Sequence, residues 1–432
     1  MDADRFLTYS LQDPRITHIL AAAIEAVEPG RIVKQWLERA ALPDHDRVFL
    51  LGIGKAAEPM TRAAAAFFND FTDALIITKH SLSPIDDDPL TRISRRVTIM
   101  EAGHPIPDER SMVAGKSVLD FTSRIQENDL LICLLSGGGS ALVVVPREGL
   151  SLTDIQILTK SMLANGAGID EINVLRCQLD ILKGGGLAAA TKGKILSLIL
   201  SDVIGDHLDV IASGLTVPNQ KSVEKIPALL EKYDIDGMVS SSKLKIITSE
   251  KFNDFSLFHH LKNVIVANNN FALQAAKEKA VAEGFFTEII NTNLQGEART
   301  VGKKLAEILH TAVMQKPIPF CLISGGETTV TIRGSGKGGR NQELALSAVE
   351  IMDDLKNGML ISLATDGNDG PTEAAGGVVT GLTHQRAKKL GMSATEYLSR
   401  NDSFPFFDLL GDLLKPGYTG TNVNDLIFLF GL

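Results

Sequence analysis

With 432 residues the chain is too long for one ordinary core and reads as two domains. Its 44% hydrophobic and 22% charged residues are those of a folded globular protein and exclude a long disordered tail. A formal charge of -9 excludes nucleic acid and anionic membrane as general partners, so an anionic ligand has to be attracted locally.

The opening residues, MDADRFLTYSLQDPR, are acidic and lack the apolar stretch of a secretory signal. Between residues 15 and 40 the spacing of Ile19, Leu20, Ile24, Val27, Ile32, Trp36 and Leu37 predicts amphipathic helices broken at Pro29 and Gly30. A short apolar strand at 48–51, the helix-forming MTRAAAAFF, and strands at 74–78 and 97–100 follow β-α-β logic. Residues 111–127 predict a helix, 130–135 a strand, 152–164 and 171–190 helices, and 194–200 a strand. Strands alternating with helices at this spacing imply a doubly wound parallel sheet, and right-handed crossovers place the strand carboxyl ends together.

The polar stretch 217–255, with Pro218, Pro227, Gly237 and three serines at 240–242, is the expected domain junction, giving domains of 1–240 and 241–432. A second α/β set follows: strands at 264–267, 287–290 and 320–323, helices at 271–283 and 296–313, a hairpin-like 328–332, and strands at 360–364 and 426–430. The three cysteines are scattered, and Cys133 and Cys321 lie in apolar runs, which argues against disulfides or a zinc site. No apolar stretch reaches the ~18 residues of a membrane span. Cytoplasm is the expected compartment.

Six clusters of Gly with Ser, Thr, Asp, Glu or Lys, most of them closing apolar runs, carry the chemistry. At such loops glycines let backbone amides approach an anion. GIGKAA brings Gly52, Gly54 and Lys55. It fits a loose dinucleotide pattern, but the next strand ends in Thr78, Lys79 and His80, where a nicotinamide site wants an acid for the ribose. No Walker A pattern occurs. SGGGS, with Ser136, Gly137, Gly138, Gly139 and Ser140, offers consecutive amides and two hydroxyls as a phosphate cradle.

SDVIGD presents Asp202 and Asp206 after a buried strand, suited to Mg2+, to a substrate hydroxyl, or simply to capping a turn. TDGNDG repeats that chemistry with Asp366 and Asp369. SGGET holds Gly325, Gly326 and Glu327, and GSGKGGRNQE leads into a helix near Asn341, with Arg340 able to grip a carboxylate or phosphate. In KGGG a helix cap is the first reading, with Lys183 a weaker ligand candidate. His104 stands in a loop stiffened by two prolines, and a structural bond and a ligand contact remain equal alternatives for it.

In unbroken order from about residue 45 onward, GIGKAA, AGHPIPD, SGGGSAL, LKGG, SDVIGD, IASG, SGGETTV, GGRNQEL, TDGNDGPT and TGTNVNDL resemble the class II glycerate kinases, also called the glycerate 2-kinase or MOFRL family. The resemblance implies a Rossmann-like N-terminal domain, a distinct α/β C-terminal MOFRL domain and an active site in the interdomain cleft. It implies transfer of the ATP γ-phosphate to D-glycerate, giving 2-phosphoglycerate, with Mg2+ or another divalent metal. By the same resemblance Lys55, Asp202 and Arg340 match active-site residues. Relatives labelled hydroxypyruvate reductases leave an NAD(P)H-dependent reductase as the alternative. The chain departs from the family pattern at Arg176-Cys177-Gln178-Leu179-Asp180, at Ile204 and at Leu215, which bears on specificity rather than fold.

On this reading Ser136, Gly137, Gly138, Gly139 and Ser140, together with the glycines of GIGKAA and SGGET and Glu327, hold ATP. Lys55 and Arg340 neutralise the transferring charge. Mg2+ lies near Asp202, Asp206 or Asp366, or Asp202 instead orients the glycerate hydroxyl. Arg176 or Arg340 holds the carboxylate, with His104 and Asn341 nearby. The oligomeric state is open, a homodimer among the options.

Overall fold

The computed structural model describes residues 1–81, 97–218, 222–249 and 260–432. The chain divides into two compact units, Pro29–Val266 and the combination of Met1–Glu28 with Ala267–Leu432. Helix α1 (Pro14–Glu25) belongs to the second of these.

In Pro29–Val266, α2 (Pro29–Arg39) precedes β1 (Val48–Ile53), α3 (Ala57–Phe68), β2 (Asp73–Thr78), β3 (Val97–Glu101), α4 (Glu109–Ser123) and β4 (Leu130–Leu135). Then come α5 (Gly139–Leu142), α6 (Leu152–Ala164), α7 (Ile169–Leu179), α8 (Gly186–Ala189), β5 (Lys194–Leu200), α9 (Ser222–Lys232), α10 (Ser241–Thr248) and β6 (Leu261–Ala267). The sheet order is β3-β2-β1-β4-β5-β6. Every described pairing from β3 to β5 is parallel. All residues of β1 and β4 are buried, which is why their sequences are unbroken apolar runs rather than alternating ones. Strand order reverses between β1 and β4, and such a switch point opens a crevice at the strand carboxyl ends. Lys55 and the SGGGS turn emerge there.

The 217–255 stretch is not a linker where it is described. Ile226, Leu229 and Leu230 of α9 and Ile247 of α10 pack into a core with Ile155 and Leu158 of α6 and Leu175 of α7. Apolar spacing on α9 outweighs the interior Pro227, and in the serine run Ser240 caps the start of α10, accepting from the Lys243 amide. Conversely, the helix expected over 171–190 ends at Leu179, where Asp180 turns extended, and α8 starts only after Gly184 and Gly185, at φ values of 62° and 89°.

In the other unit, α11 (Asn269–Ala282), β7 (Phe286–Glu297), α12 (Ala298–Gln315), β8 (Phe320–Thr329), α13 (Arg340–Ala348) and β9 (Gly358–Ala364) precede β10 (Gly376–Thr380). It closes with α14 (Thr383–Lys389), α15 (Ala394–Ser399), α16 (Ser403–Leu410), β11 (Leu413–Leu414) and β12 (Asp425–Gly431). Its sheet runs β11-β10-β9-β12-β8-β7. Among the described residues only β7 and β8 of this sheet pair in parallel; the other pairings are antiparallel. The sheet is therefore mixed, and its carboxyl ends do not share one rim. Where β12 begins, Asp425 pairs with Gly326 of β8 and Ala364 of β9, so that edge collects the acidic loops.

The boundary expected at 240/241 differs from this division. Ile16, Ile19, Leu20 and Ile24 of α1 are buried in the unit that also holds α11, and the Thr421 hydroxyl donates to the Val27 carbonyl at 2.6 Å. The N-terminal segment thus folds with residues far along the chain.

Candidate active site

At the β1/β4 switch point the two loops are tied by backbone. Lys55 N–H donates to the Gly137 carbonyl at 3.0 Å, and Ala56 N–H to the Ser136 hydroxyl at 3.0 Å. Ser136 is buried, so its hydroxyl supports the loop instead of meeting a phosphate. Gly52 serves close packing as well, because a Cβ there would lie 2.3 Å from Thr61 Oγ1 on α3. Gly54 has φ of +132°, and its missing Cβ leaves room for Ser136.

Each glycine of SGGGS seats a neighbouring side chain. A Cβ on Gly137 would fall 1.7 Å from an Asp202 carboxylate oxygen. On Gly138 it would meet the His104 ring at 2.9 Å and Lys55 Cγ at 3.4 Å, and on Gly139 it would meet Ala212 at 2.7 Å. Lys55, His104 and Asp202, far apart in sequence, are thus gathered around one turn. Lys55 makes no side-chain hydrogen bond or salt bridge among the described residues, although its charge acts on Asp202. Burial raises the Asp202 carboxyl above the ordinary carboxylate range, and the Lys55 ammonium opposes that rise. His104 is lowered to about 4, by burial first and then by Lys55 and Lys79, so its ring is neutral at physiological pH. Its Nδ1 is buried without a hydrogen-bond partner among the described residues. Helix α5 is a single turn, so an anion here would rest on Lys55 and the loop amides rather than on a helix dipole.

A second hub adjoins the turn. Ser140 and Ser213 share a hydrogen bond of 2.6 Å, and Ser213 also donates to Asn173. The Gly184 and Gly185 amides donate to the Ser213 and Gly214 carbonyls. Ala212 and Ser213 hold φ values of 50° and 56°, a strained pair of non-glycine residues beside the cluster. Sequence reasoning does not single out Ser213 or Asn173; the IASG motif is the available signal. Lys183 is buried in an ion pair with Asp180 and donates to the Val143 carbonyl, a structural role. Arg176 behaves differently. Burial lowers its pKa, and its guanidinium forms no hydrogen bond or ion pair among the described residues.

In the second unit the glycine clusters of the sequence resolve otherwise. Gly325 and Gly326 are interior residues of β8, not a loop: a Cβ would strike Asn269 Oδ1 at 1.8 Å and the Leu294 carbonyl at 2.1 Å. They permit close strand and side-chain approach. Arg340 grips Asp425 through Nε and Nη2 at 2.6 and 2.9 Å, while its Nη1 lies 2.8 Å from Glu327. Burial lowers the Arg340 pKa, but Asp425 and then Glu327 outweigh it and hold the guanidinium firmly charged. Asp425, in the TGTNVNDL motif, is a partner that sequence reasoning misses.

Asn341 is 1% exposed. It accepts from Ser362 at 2.6 Å, and its own N–H donates to Asp369 at 3.1 Å. Asp369 also takes the Gln342 amide at 2.8 Å, so this carboxylate already occupies the start of α13. Burial raises Asp369 to about 7, despite those amides. Asn341 therefore builds the helix start instead of contacting substrate. Asp366 accepts the Asn368 amide at 3.0 Å and shapes its own turn.

Among the described residues no group of three or more His, Cys, Asp or Glu side chains is placed to hold a metal ion. Asp202, Asp206 and Asp366 therefore do not form the one cage that a metal held by protein alone would need. A Mg2+ bound through nucleotide phosphates needs only one or two carboxylates, and Asp202, seated against Gly137 beside Lys55, fits that smaller requirement.

A sheet of 3-2-1-4-5-6 order, parallel from β3 to β5, with at its switch point a half-buried aspartate and a lysine that has no salt bridge among the described residues, defines a Rossmann-type α/β protein built to receive an anionic ligand. Residues 15–248 match a domain of unknown function, DUF4147, and residues 320–425 match the MOFRL family. The chain is 42% identical over 419 residues to D-glycerate 2-kinase of Thermotoga maritima, covering 95% of this chain and 96% of that protein. It is 38% identical over 427 residues to glycerate 2-kinase of Pyrococcus horikoshii, covering 95% of each. The crystal structure of the Thermotoga maritima glycerate kinase superimposes with a TM-score of 0.87 at 41% identity, over 96% of this chain and 98% of that one. The chain belongs to the DUF4147–MOFRL family of glycerate kinases.

Proposed function

We propose that the protein is a glycerate 2-kinase, transferring the γ-phosphoryl group of ATP to the 2-hydroxyl of D-glycerate. The observation that carries this reading is Lys55, an ammonium without a salt bridge among the described residues, beside the half-buried Asp202 at the switch point. Phosphoryl transfer asks the protein for placement and charge cancellation rather than covalent chemistry. Lys55 cancels charge on the transferring group. Asp202, its affinity for protons raised by burial, orients the hydroxyl and accepts its hydrogen bond. Mg2+, when bound, neutralises phosphate charge, and Asp202 with Asp206 four residues on are the carboxylates that would hold it. His104, neutral, adds no charge and walls the turn beside Lys55.

Within its own unit Arg340 can release its exposed Glu327 edge to an anionic oxygen, because such a surface pair is held by only ~0–1 kcal/mol, while Asp425 keeps the other edge in place. The reductase alternative needs an acid at the end of β2 for the ribose; Thr78 stands there, buried.

Incubation with ATP, Mg2+ and D-glycerate, followed by phosphorus NMR, tests the reading. A 2-phosphoglycerate signal is expected; 3-phosphoglycerate would correct the position, and no phosphoglycerate would remove the activity.

A further inference from the structure

Beside the SGGGS turn lies a cavity of about 360 Å³. Its walls are largely apolar, among them Val144, Ile155, Leu163 and the Pro105–Ile106–Pro107 lip. Besides the exposed Lys160, two polar groups in it lack partners among the described residues. The Arg176 guanidinium has no hydrogen bond or ion pair among the described residues, and the Thr159 hydroxyl, in a residue 9% exposed, is buried without one. A half-buried guanidinium in a largely apolar cavity without a counter-ion is costly, so the cavity calls for an anion. Apolar walls and an orphan hydroxyl call for something more: a flat apolar body with polar edges.

Glycerate offers the anion but no apolar surface. A nucleotide offers both. Ser140, which lines the cavity, is two residues from Gly138, whose bare Cα faces Lys55 and His104. His104 directly precedes the proline lip. A phosphate chain leaving the cavity therefore meets Lys55 along one turn of backbone.

We propose that this cavity seats the nucleoside end of the phosphoryl donor, its purine between α6 and the proline lip and its first phosphate on Arg176. This deepens the kinase reading and rests on it for the identity of the donor. Thr159 donates to or accepts from the edge of the base. Arg176 is thereby assigned to the nucleotide and not to the glycerate carboxylate.

Calorimetric titration with ADP, which needs no turnover, is combined with steady-state kinetics on wild type, Arg176→Met and the near-isosteric Thr159→Val. Melting temperatures check that each variant folds. Arg176→Met is expected to weaken ADP binding and raise KM for ATP by about tenfold or more, the scale of a lost charge-assisted hydrogen bond, with KM for glycerate within about twofold of wild type. Thr159→Val is expected to weaken ADP binding by roughly three- to tenfold. A rise in KM for glycerate alone, or ADP binding unchanged in both variants, overturns the assignment while leaving the kinase standing. Wild type that binds ADP through these residues yet forms no phosphoglycerate would sink the kinase reading and uphold the cavity as a nucleotide seat.

Discussion

Lys55 and Arg176 resemble each other in one respect: neither has a counter-ion among the described residues, where a folded protein normally supplies one. Lys55→Ala should lower kcat by on the order of 10³-fold with an unchanged melting temperature, and a variant keeping half the wild-type rate would remove Lys55 from the mechanism. Gly137→Ala places a methyl group on the Asp202 carboxylate, so a large loss of activity is expected from a substitution that adds one carbon. His104 gives a pH signature. Its pKa falls from 6.5 in the unfolded chain to about 4 in the fold, so protons favour the unfolded state. That contribution to stability is full above pH 6.5 and is lost as pH falls through about 4. His104→Gln should accordingly flatten the decline in melting temperature across that window, and an unaltered slope would contradict a buried neutral ring. Lys55, Asp202 and the glycines are legible as residue types beside strand ends. Ser213, Asn173 and Asp425 are not, because their roles exist only through partners distant in sequence.

Among the elements, buried parallel strands are the most legible: β4 and β5 fall where continuous apolar runs place them. The failures share a cause. In SGGETT the glycines look like a loop, yet β7 and Asn269 occupy the space that side chains would take, and β8 runs through. Helices α9 and α10 hide in a polar segment because only one face of each is apolar and its partner faces lie on α6 and α7. Strands β10 and β11 and helices α14, α15 and α16 escape sequence reasoning, being short elements whose stability comes from tertiary packing. Helix α1 offers a test at this scale. Burying Ile16, Ile19, Leu20 and Ile24 is worth on the order of 6–12 kcal/mol, comparable to the whole stability of a domain, at ~5–15 kcal/mol. Removing residues 1–28 should therefore leave the unit containing Ala267–Leu432 open to limited proteolysis while Pro29–Val266 stays protected.

At the scale of the molecule, motif order is enough for the family and the fold class, but contiguous halves are the wrong picture of how the chain divides. The charge of -9 is offset locally, and no described helix is long and apolar enough to cross a membrane. With Thr78 at the end of β2, NADPH oxidation in the presence of hydroxypyruvate should be undetectable, and a rate comparable to glycerate phosphorylation would revive the reductase. The union of Met1–Glu28 with Ala267–Leu432 also orders events at the ribosome. Helix α1 leaves the exit tunnel about 240 residues before α11, and at roughly 5–20 residues per second it waits tens of seconds with its apolar face uncovered. The central unit can finish folding in that interval, so α1, made before it, is buried after it, and until then its apolar face is open to a chaperone.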